Sequence, residues 1–372
     1  MRSYPDATQE STVHQPYNEG VHMRAAVLVQ YRQAFEVQEV EDPAILSPTD
    51  VIVEVEAAGF CRTDIHLWLG QFAGFHEQAG IEPLPFVCGH ENAGRIVEVG
   101  SGVTHIAVGD SVLLHPQGTC GYCHACRAGD DMHCTSPIFP GLSAQGGFAQ
   151  YVRSNARAVV PIPPELSPLQ VVPLADGGLT AYRAVKRALP LAYPGSYTVV
   201  IGAGGLGHIG IQALRALSQT EIIVVDRNEK VLENARGWGA DRTVVARPDG
   251  AHVAEVRELT GGKGANVVID YVGEGGAELQ AVDMLGPNGV DIIAGYGGTL
   301  VAEIQSKILT PEASFVGTIV GTYNELVELV ALTRRGAVKP EWRTFPLEGV
   351  NDAMAALESG GIVGRGVLLP AS

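Results

Sequence analysis

Four of the chain's six cysteines crowd into fifteen residues, Cys120, Cys123, Cys126 and Cys134, in the run C-G-Y-C-H-A-C-R-A-G-D-D-M-H-C. Two successive C-x-x-C steps, then a fourth sulfur after seven intervening residues, can close four thiolates around a tetrahedral Zn²⁺ with no position left for water. That closed set describes a structural metal. A redox dithiol or a pair of disulfides would not need four cysteines so placed, and the hydrophilic loop around them has little apolar core of its own. The second chemical pattern is Gly202-Ala-Gly204-Gly-Leu206-Gly207, a G-x-G-x-x-G turn. It follows the apolar run Tyr197–Ile201, opens an apolar-periodic helix, and precedes Asp226 by nineteen residues. In that context the glycines let the backbone approach a pyrophosphate at a helix N-terminus. Asp226, ending the next strand, can bind a ribose 2′-hydroxyl and repel a 2′-phosphate, which favours NAD. Arg227 beside it is the one cation that could accept the phosphate instead.

The elements that must carry these residues follow two grammars. From Met23 to about Val160 short strand-like runs alternate with turns: Ala25–Val29, Val51–Ala57, Gly94–Val99, Ser111–Leu114 and Phe148–Val152. From about Ala175 the order becomes strand, glycine turn, helix, repeated. Tyr197–Ile201, Ile222–Val225, Val267–Ile269 and Val290–Ala294 are its strands, as in a doubly wound parallel sheet. A helix over Asn324–Arg335 and a last strand at Gly366–Leu369 close the chain. The expected fold is therefore α/β, with a mostly-β catalytic domain over 23–173 and 318–372, a cofactor domain over 174–317, and a polar tail over 1–22.

Bulk composition agrees with an enzyme-sized pair of cores: 372 residues, 46% apolar and 18% charged. A formal charge of −16 disfavours nucleic acid, and with it the reading of the cysteine lobe as a nucleic-acid ribbon. No apolar run approaches the ~20 residues of a membrane helix. Met1–His22 lacks the apolar stretch of a secretory signal. With thiolate ligands, this gives the expectation of a reducing cytoplasm.

Cys61, in G-F-C-R-T-D-I-H, and His90, in C-G-H-E-N, are unremarkable singly. Combined with the cysteine lobe, the G-H-E triplet, the glycine turn and the closing Gly364-Arg365-Gly366, they resemble the zinc-dependent medium-chain alcohol dehydrogenases, most nearly the bacterial secondary-alcohol members. The resemblance runs from Met23 to the C-terminus. It implies a GroES-like catalytic domain beside a Rossmann domain, two zinc ions per chain, NAD, and an alcohol or ketone as the small-molecule partner. Position by position, Cys61 and His90 resemble two ligands of the catalytic zinc. The third, a Cys or Asp in the family, falls on Asp176 in P-L-A-D-G-G-L-T, and Glu91 can approach the metal or support it from behind. Three ligands leave a fourth position open, where zinc acidifies an alcohol hydroxyl as it does water. The carbon then gives hydride to the nicotinamide, while Thr63 and His66 match the family's proton relay.

The resemblance also places Arg62 and Arg365 at the pyrophosphate, and Thr180, Gly202, Gly204, Leu206, Gly207, Asp226, Arg227, Val272 and Gly295 along the cofactor. It lines the substrate pocket with Trp68, Phe72, His115, Leu142, Ile319 and Val320. Trp68 reads equally as a core aromatic, and His115 as a partner for a second substrate oxygen. Cys88 reads as a small buried apolar residue. An apolar wall favours secondary or aryl-alkyl alcohols over ethanol. A homotetramer is the family's usual assembly. The alternatives are a polyol, diol or amino-alcohol dehydrogenase, an enzyme that never releases its cofactor, and, from another class, a non-catalytic zinc scaffold.

Overall fold

The computed structural model describes residues 22–79 and 84–371. The tail expected over 1–22 lies outside them except for His22, which already belongs to the first strand. The first lobe holds β1 (His22–Leu28), β2 (Glu36–Glu41), β3 (Asp50–Phe60), β4 (Phe86–Val87), β5 (Glu91–Val99), β6 (Ser111–Leu114), β7 (Tyr151–Asn155) and β8 (Val159–Pro161). Next come the parallel strands β9 (Tyr197–Ile201), β10 (Glu221–Asp226), β11 (Arg242–Val245), β12 (Ala265–Asp270), β13 (Leu285–Ile293) and β14 (Ser314–Gly317). β15 (Trp342–Pro346) and β16 (Arg365–Leu369) return to the first lobe.

Hydrophobic periodicity decides both lobes. In β3 every apolar residue is buried while Glu54 and Glu56 stay half-exposed, so the strand can sit at the centre of a sheet in the order β15-β16-β3-β5-β6-β8, with β7 also on β3. The second lobe runs β11-β10-β9-β12-β13-β14. Its strands are apolar on both faces because both are covered. Val200, Val224 and Ile269 pack with Leu179 and Ile209 of the helices Gly177–Ala188 and Gly207–Leu217; Val199, Val225 and Val268 pack with Ala281 and Met284 of the helix Ala277–Met284. The strand order reverses at β9 and β12, which opens a crevice at their carboxyl ends. Among the described residues no helix is long and apolar enough to cross a membrane.

Register aims the chemistry. Gly59 of β3 pairs with Glu91 of β5, and Phe60 pairs with Gly366 of β16. Cys61, His90 and Arg365 therefore all emerge at one end of the same sheet, though 304 residues separate the outer two. The strand expected at Phe148–Val152 begins instead at Tyr151. Phe148 is fully buried and exchanges its backbone groups with Ala26 and Cys88, so Gly146–Phe148 serves as an inner turn under the site.

Candidate active site

Cys61 stands at the head of the short helix Arg62–Trp68, directly after β3, and His90 directly before β5. Asp176 precedes the helix Gly177–Ala188 but makes no side-chain capping bond there. Its Oδ2 instead faces the cluster, 3.7 Å from Cys61 Sγ and 3.3 Å from His90 Nε2. All three are buried, and their ligand atoms, with that of Glu91, lie within 4.8 Å of one another. Bonds of ~2.0–2.3 Å to one tetrahedral zinc leave ligand atoms ~3.3–3.8 Å apart, so the donor set fits that ion.

Electrostatics point the same way. Burial alone would discharge His90, yet the carboxylates of Asp64 and Asp176, with Cys61, hold its pKa well above the usual imidazole range. Burial likewise works to raise Asp176, but His90 outweighs it and the carboxyl is lowered. The cluster selects for a positive charge at its centre, which a divalent cation supplies.

Three groups buttress these side chains. Asp64 was not singled out from the sequence. It is fully buried and accepts the Cys61 N–H (2.9 Å) and the Gly89 N–H (3.3 Å), and its Oδ1 lies 3.5 Å from His90 Nδ1. Its signal was available: a carboxylate three places after a helix cap, in C-R-T-D. Glu91 Oε1 accepts the Gly177 N–H at 2.9 Å and pairs with Arg365. Gly59 makes room for it, since a Cβ there would stand 2.0 Å from Glu91 Oε2. Burial raises the Glu91 pKa, and Arg365 opposes the rise. Removing one member of such a buried pair typically costs about 3–5 kcal/mol.

Thr63 Oγ1 lies 3.6 Å from Cys61 Sγ. His66 is buried on the same helix, and among the described residues neither ring nitrogen has a hydrogen-bond partner. Across the crevice lies the Gly202–Gly207 turn. Gly202 has φ +86°, and a Cβ on Gly207 would stand 1.9 Å from the Gly202 carbonyl, so both must be glycine. Gly204 is exposed, with open space where a Cβ would point, and half-buried Leu206 opens the helix. Val272 packs on Gly202, and Gly295 lies against the Val272 backbone. Thr180 is in the first turn behind Asp176. Asp226 Oδ2 accepts the Ala203 N–H at 2.7 Å, which ties the end of β10 to the turn, with exposed Arg227 next to it. This turn fits a dinucleotide.

Arg365 is not at the surface. It is buried, with its guanidinium between Glu91 and the turn, 2.9 Å from where a Gly205 Cβ would be. Arg62, expected at the pyrophosphate, is exposed and pairs with Glu274 at 2.7 Å.

The expected pocket is only partly assembled. Phe72 and Leu142 are half-buried against the first-lobe core; Val320 is buried, while Ile319 is 63% exposed. Trp68 belongs elsewhere: its indole N–H donates to the Gln33 carbonyl at 2.7 Å, and its ring lines a separate cavity with Phe35, Ile65 and Met354. This is the core role, not a substrate contact. His115 cannot greet a second substrate oxygen either. Its Nε2 donates to the Gly321 carbonyl at 2.8 Å, and its Nδ1 accepts the Gln117 N–H at 3.2 Å. Phe139, unforeseen, meets the His90 ring edge-on at 6.0 Å between centroids. Cys88 is a fully buried thiol whose pKa burial pushes up.

In the second cluster the Cys120, Cys123, Cys126 and Cys134 sulfurs lie within 4.8 Å of one another and form no disulfide. Backbone N–H groups of Cys126 and Thr135 draw the Cys123 pKa down to about 6, whereas burial pushes Cys126 up to about 11. The 3.9 Å between Cys120 and Cys126 sulfurs suits the ~3.8 Å edge of a zinc–thiolate tetrahedron.

The Alcohol dehydrogenase GroES-like domain matches residues 47–164, and the Zinc-binding dehydrogenase domain matches 205–335. An NAD-dependent alcohol dehydrogenase of Sulfurisphaera tokodaii is 35% identical over 94% of this chain and 100% of its own. The crystal structure of the alcohol dehydrogenase from Aeropyrum pernix superposes with a TM-score of 0.88 at 43% identity, covering 93% of this chain and 100% of that one. A D-arabinose 1-dehydrogenase (NADP(+)) of Saccharolobus solfataricus is 32% identical over 94% of this chain and 98% of its own.

Proposed function

The chain belongs to the zinc-dependent medium-chain alcohol dehydrogenase family, and we propose that it interconverts alcohols and ketones or aldehydes, using NAD and one zinc at Cys61, His90 and Asp176. The observation that carries this is the buried Cys61–His90–Asp176 set at the crevice of a dinucleotide fold, with the Thr63 hydroxyl beside it. Cys61, His90 and Asp176 would hold the zinc, whose chemistry there would be Lewis acidity toward an alcohol oxygen, and the glycine turn would hold NAD as the hydride acceptor. The protein does the rest. Asp64 and Glu91 orient the ligand side chains, Thr63 takes the substrate proton, and His66 carries it toward solvent. The Gly202–Gly207 turn and Arg365 hold the pyrophosphate, and Asp226 holds the ribose. Cys120, Cys123, Cys126 and Cys134 hold a second, structural zinc. Residues 23–173 with 318–372 form the metal-bearing domain, and 174–317 the cofactor domain.

The substrate is a secondary or aryl-alkyl alcohol. Phe139 lies edge-on to His90 and the expected lining residues Phe72, Leu142 and Val320 are apolar, while tying both His115 nitrogens to backbone leaves a polyol's extra hydroxyls without that partner. The protein works in a reducing compartment, where its thiolates persist. A spectrophotometric assay of purified protein with NAD⁺ or NADP⁺ against ethanol, 2-octanol, 1-phenylethanol and 2,3-butanediol tests this. Higher kcat/KM for 2-octanol or 1-phenylethanol is expected, by roughly tenfold or more at ~1–3 kcal/mol per added methylene. Ethanol or the diol ranking first overturns the substrate assignment, and no turnover of any alcohol overturns the activity.

A further inference from the structure

Tyr296 lies in the loop after β13, on the cofactor lobe, yet its hydroxyl is 2.8 Å from Thr63 Oγ1 on the metal lobe. Its ring also lies against His66, at 5.1 Å between centroids and tilted by 41°. Nothing in the sequence marks this tyrosine, which sits between two glycines in A-G-Y-G-G. Its backbone is held by neighbours. Gly295 donates to the Asp270 carbonyl at 2.9 Å, Gly298 donates to the Gly273 carbonyl at 2.8 Å, and a Cβ on Gly273 would stand 2.2 Å from the Gly295 carbonyl. About half of the residue is open to solvent, and partial burial pushes its pKa up to about 12. The hydroxyl therefore keeps its proton and can act as a neutral hydrogen-bond partner.

We propose that Tyr296 is a positioning residue of the proton path, its hydroxyl orienting the Thr63 hydroxyl and its ring capping His66 from across the cofactor crevice. The inference rests on the assignment of Thr63 and His66 as that path. A threonine hydroxyl that takes a substrate proton must release its own in a defined direction, and its hydrogen atom rotates freely unless a neighbour fixes it. Tyr296 is the neighbour that fixes it. Because the contact joins the two lobes, Thr63 is oriented only where they meet, as they also do at Arg62 and Glu274. The cap explains how a buried imidazole whose two nitrogens have no partner among the described residues is kept from bulk water on that side.

Two variants of the full-length enzyme separate the hydroxyl from the ring. Tyr296→Phe should lower kcat for alcohol oxidation about tenfold, less than the ~10²–10⁴ of a group that itself transfers the proton. KM for the alcohol should stay within about twofold, and the solvent deuterium isotope effect on kcat should rise. In a Thr63→Val background Tyr296→Phe should have no further effect, since it acts through that hydroxyl. The second readout needs no turnover: carbethoxylation of His66 in the resting protein, followed by peptide mass spectrometry. Tyr296→Ala should accelerate it severalfold, and Tyr296→Phe should leave it at the wild-type rate. A Tyr296→Phe enzyme with wild-type kcat and isotope effect, or an equal loss in the Thr63→Val background, overturns the orienting role. An unchanged His66 rate in Tyr296→Ala overturns the cap. A fully active Thr63→Val enzyme overturns the proton path itself, an outcome distinct from both.

Discussion

Asp176 is the residue on which the metal site turns. It precedes a twelve-residue helix, where a carboxylate ordinarily caps backbone N–H groups, yet it makes no such bond and points its Oδ2 at Cys61 and His90. Asp176→Ala should therefore leave the chain folded, abolish turnover, and reduce zinc from two ions per chain to one by elemental analysis. Retention of both ions would remove Asp176 from the ligand set. Asp226 sets cofactor choice by its charge. Its carboxylate already accepts the Ala203 and Asn228 N–H groups, so it is fixed where a ribose would lie. Asp226→Gly removes a repulsion of ~1 kcal/mol or more toward a 2′-phosphate in a solvent-washed site. kcat/KM with NADP⁺ should rise at least about fivefold. A wild type that already prefers NADP⁺ would assign the choice to Arg227.

At the scale of elements, the four-cysteine lobe is fastened to helices that serve the active site. Arg183, on the helix that follows Asp176, pairs with Asp130 of the lobe at 3.4 Å and with Glu325 at 2.8 Å. Asp131 of the lobe accepts the Tyr323 N–H at 3.0 Å, at the start of the helix Tyr323–Arg334. Cys123→Ser should lower the melting temperature by roughly 5 °C or more, because structural zinc contributes folding free energy directly and each kcal/mol is worth ~2–4 °C in large domains. An unchanged melting curve would deny the lobe its structural role.

The helix Gly207–Leu217 is tied down in a different way. His208 Nδ1 donates to the Gly204 carbonyl at 3.0 Å and Nε2 accepts the Glu341 N–H at 3.2 Å, while Gln212 binds both backbone groups of Lys339. Burial lowers the His208 pKa from 6.5 to about 4. The unfolded chain thus takes up this proton below pH 6.5 and the folded chain only near pH 4. The stabilisation is complete above pH 6.5 and is lost as the pH falls toward 4, by about 3 kcal/mol at most. Melting temperatures of His208→Asn should accordingly fall less steeply between pH 7 and 4.5 than those of the wild type. Equal slopes would contradict the buried neutral imidazole.

For the whole molecule, β14 ends the parallel sheet with an edge unpaired among the described residues, and Val301, Ile304, Leu309 and Ile319, flanking it in sequence, expose apolar side chains. A monomer leaves such an edge open to pairing, and a two-fold axis beside β14 would continue the sheet and cover the patch. That contact closes a dimer, the half of the homotetramer expected from the family resemblance, and a monomeric mass by light scattering at micromolar concentration would refute it.

Local physics made a large part of this protein legible in its sequence. The four cysteines, the glycine turn with its flanking strand and helix, and the strand periods of β6 and β9 are short-range patterns, and the structure keeps them where they were read. Cys61, His90 and Asp176 became a set through resemblance to a family; their spacing alone would not have joined them. Side-chain direction was not legible. Trp68 and Phe72 are four residues apart, yet Trp68 turns to Gln33 and a separate cavity, and His115 spends both nitrogens on backbone more than two hundred residues apart in reach. Arg365 became a buried partner of Glu91 because the antiparallel pairing of β16 with β3 brings it there. Phe139 and Tyr296 entered the site for the same reason, whereas Asp64 is a local partner of Cys61 whose place C-R-T-D does mark. A hydrogen bond or ring contact between lobes depends on sheet register and on how the two domains close, and neither is encoded in any window of neighbouring residues.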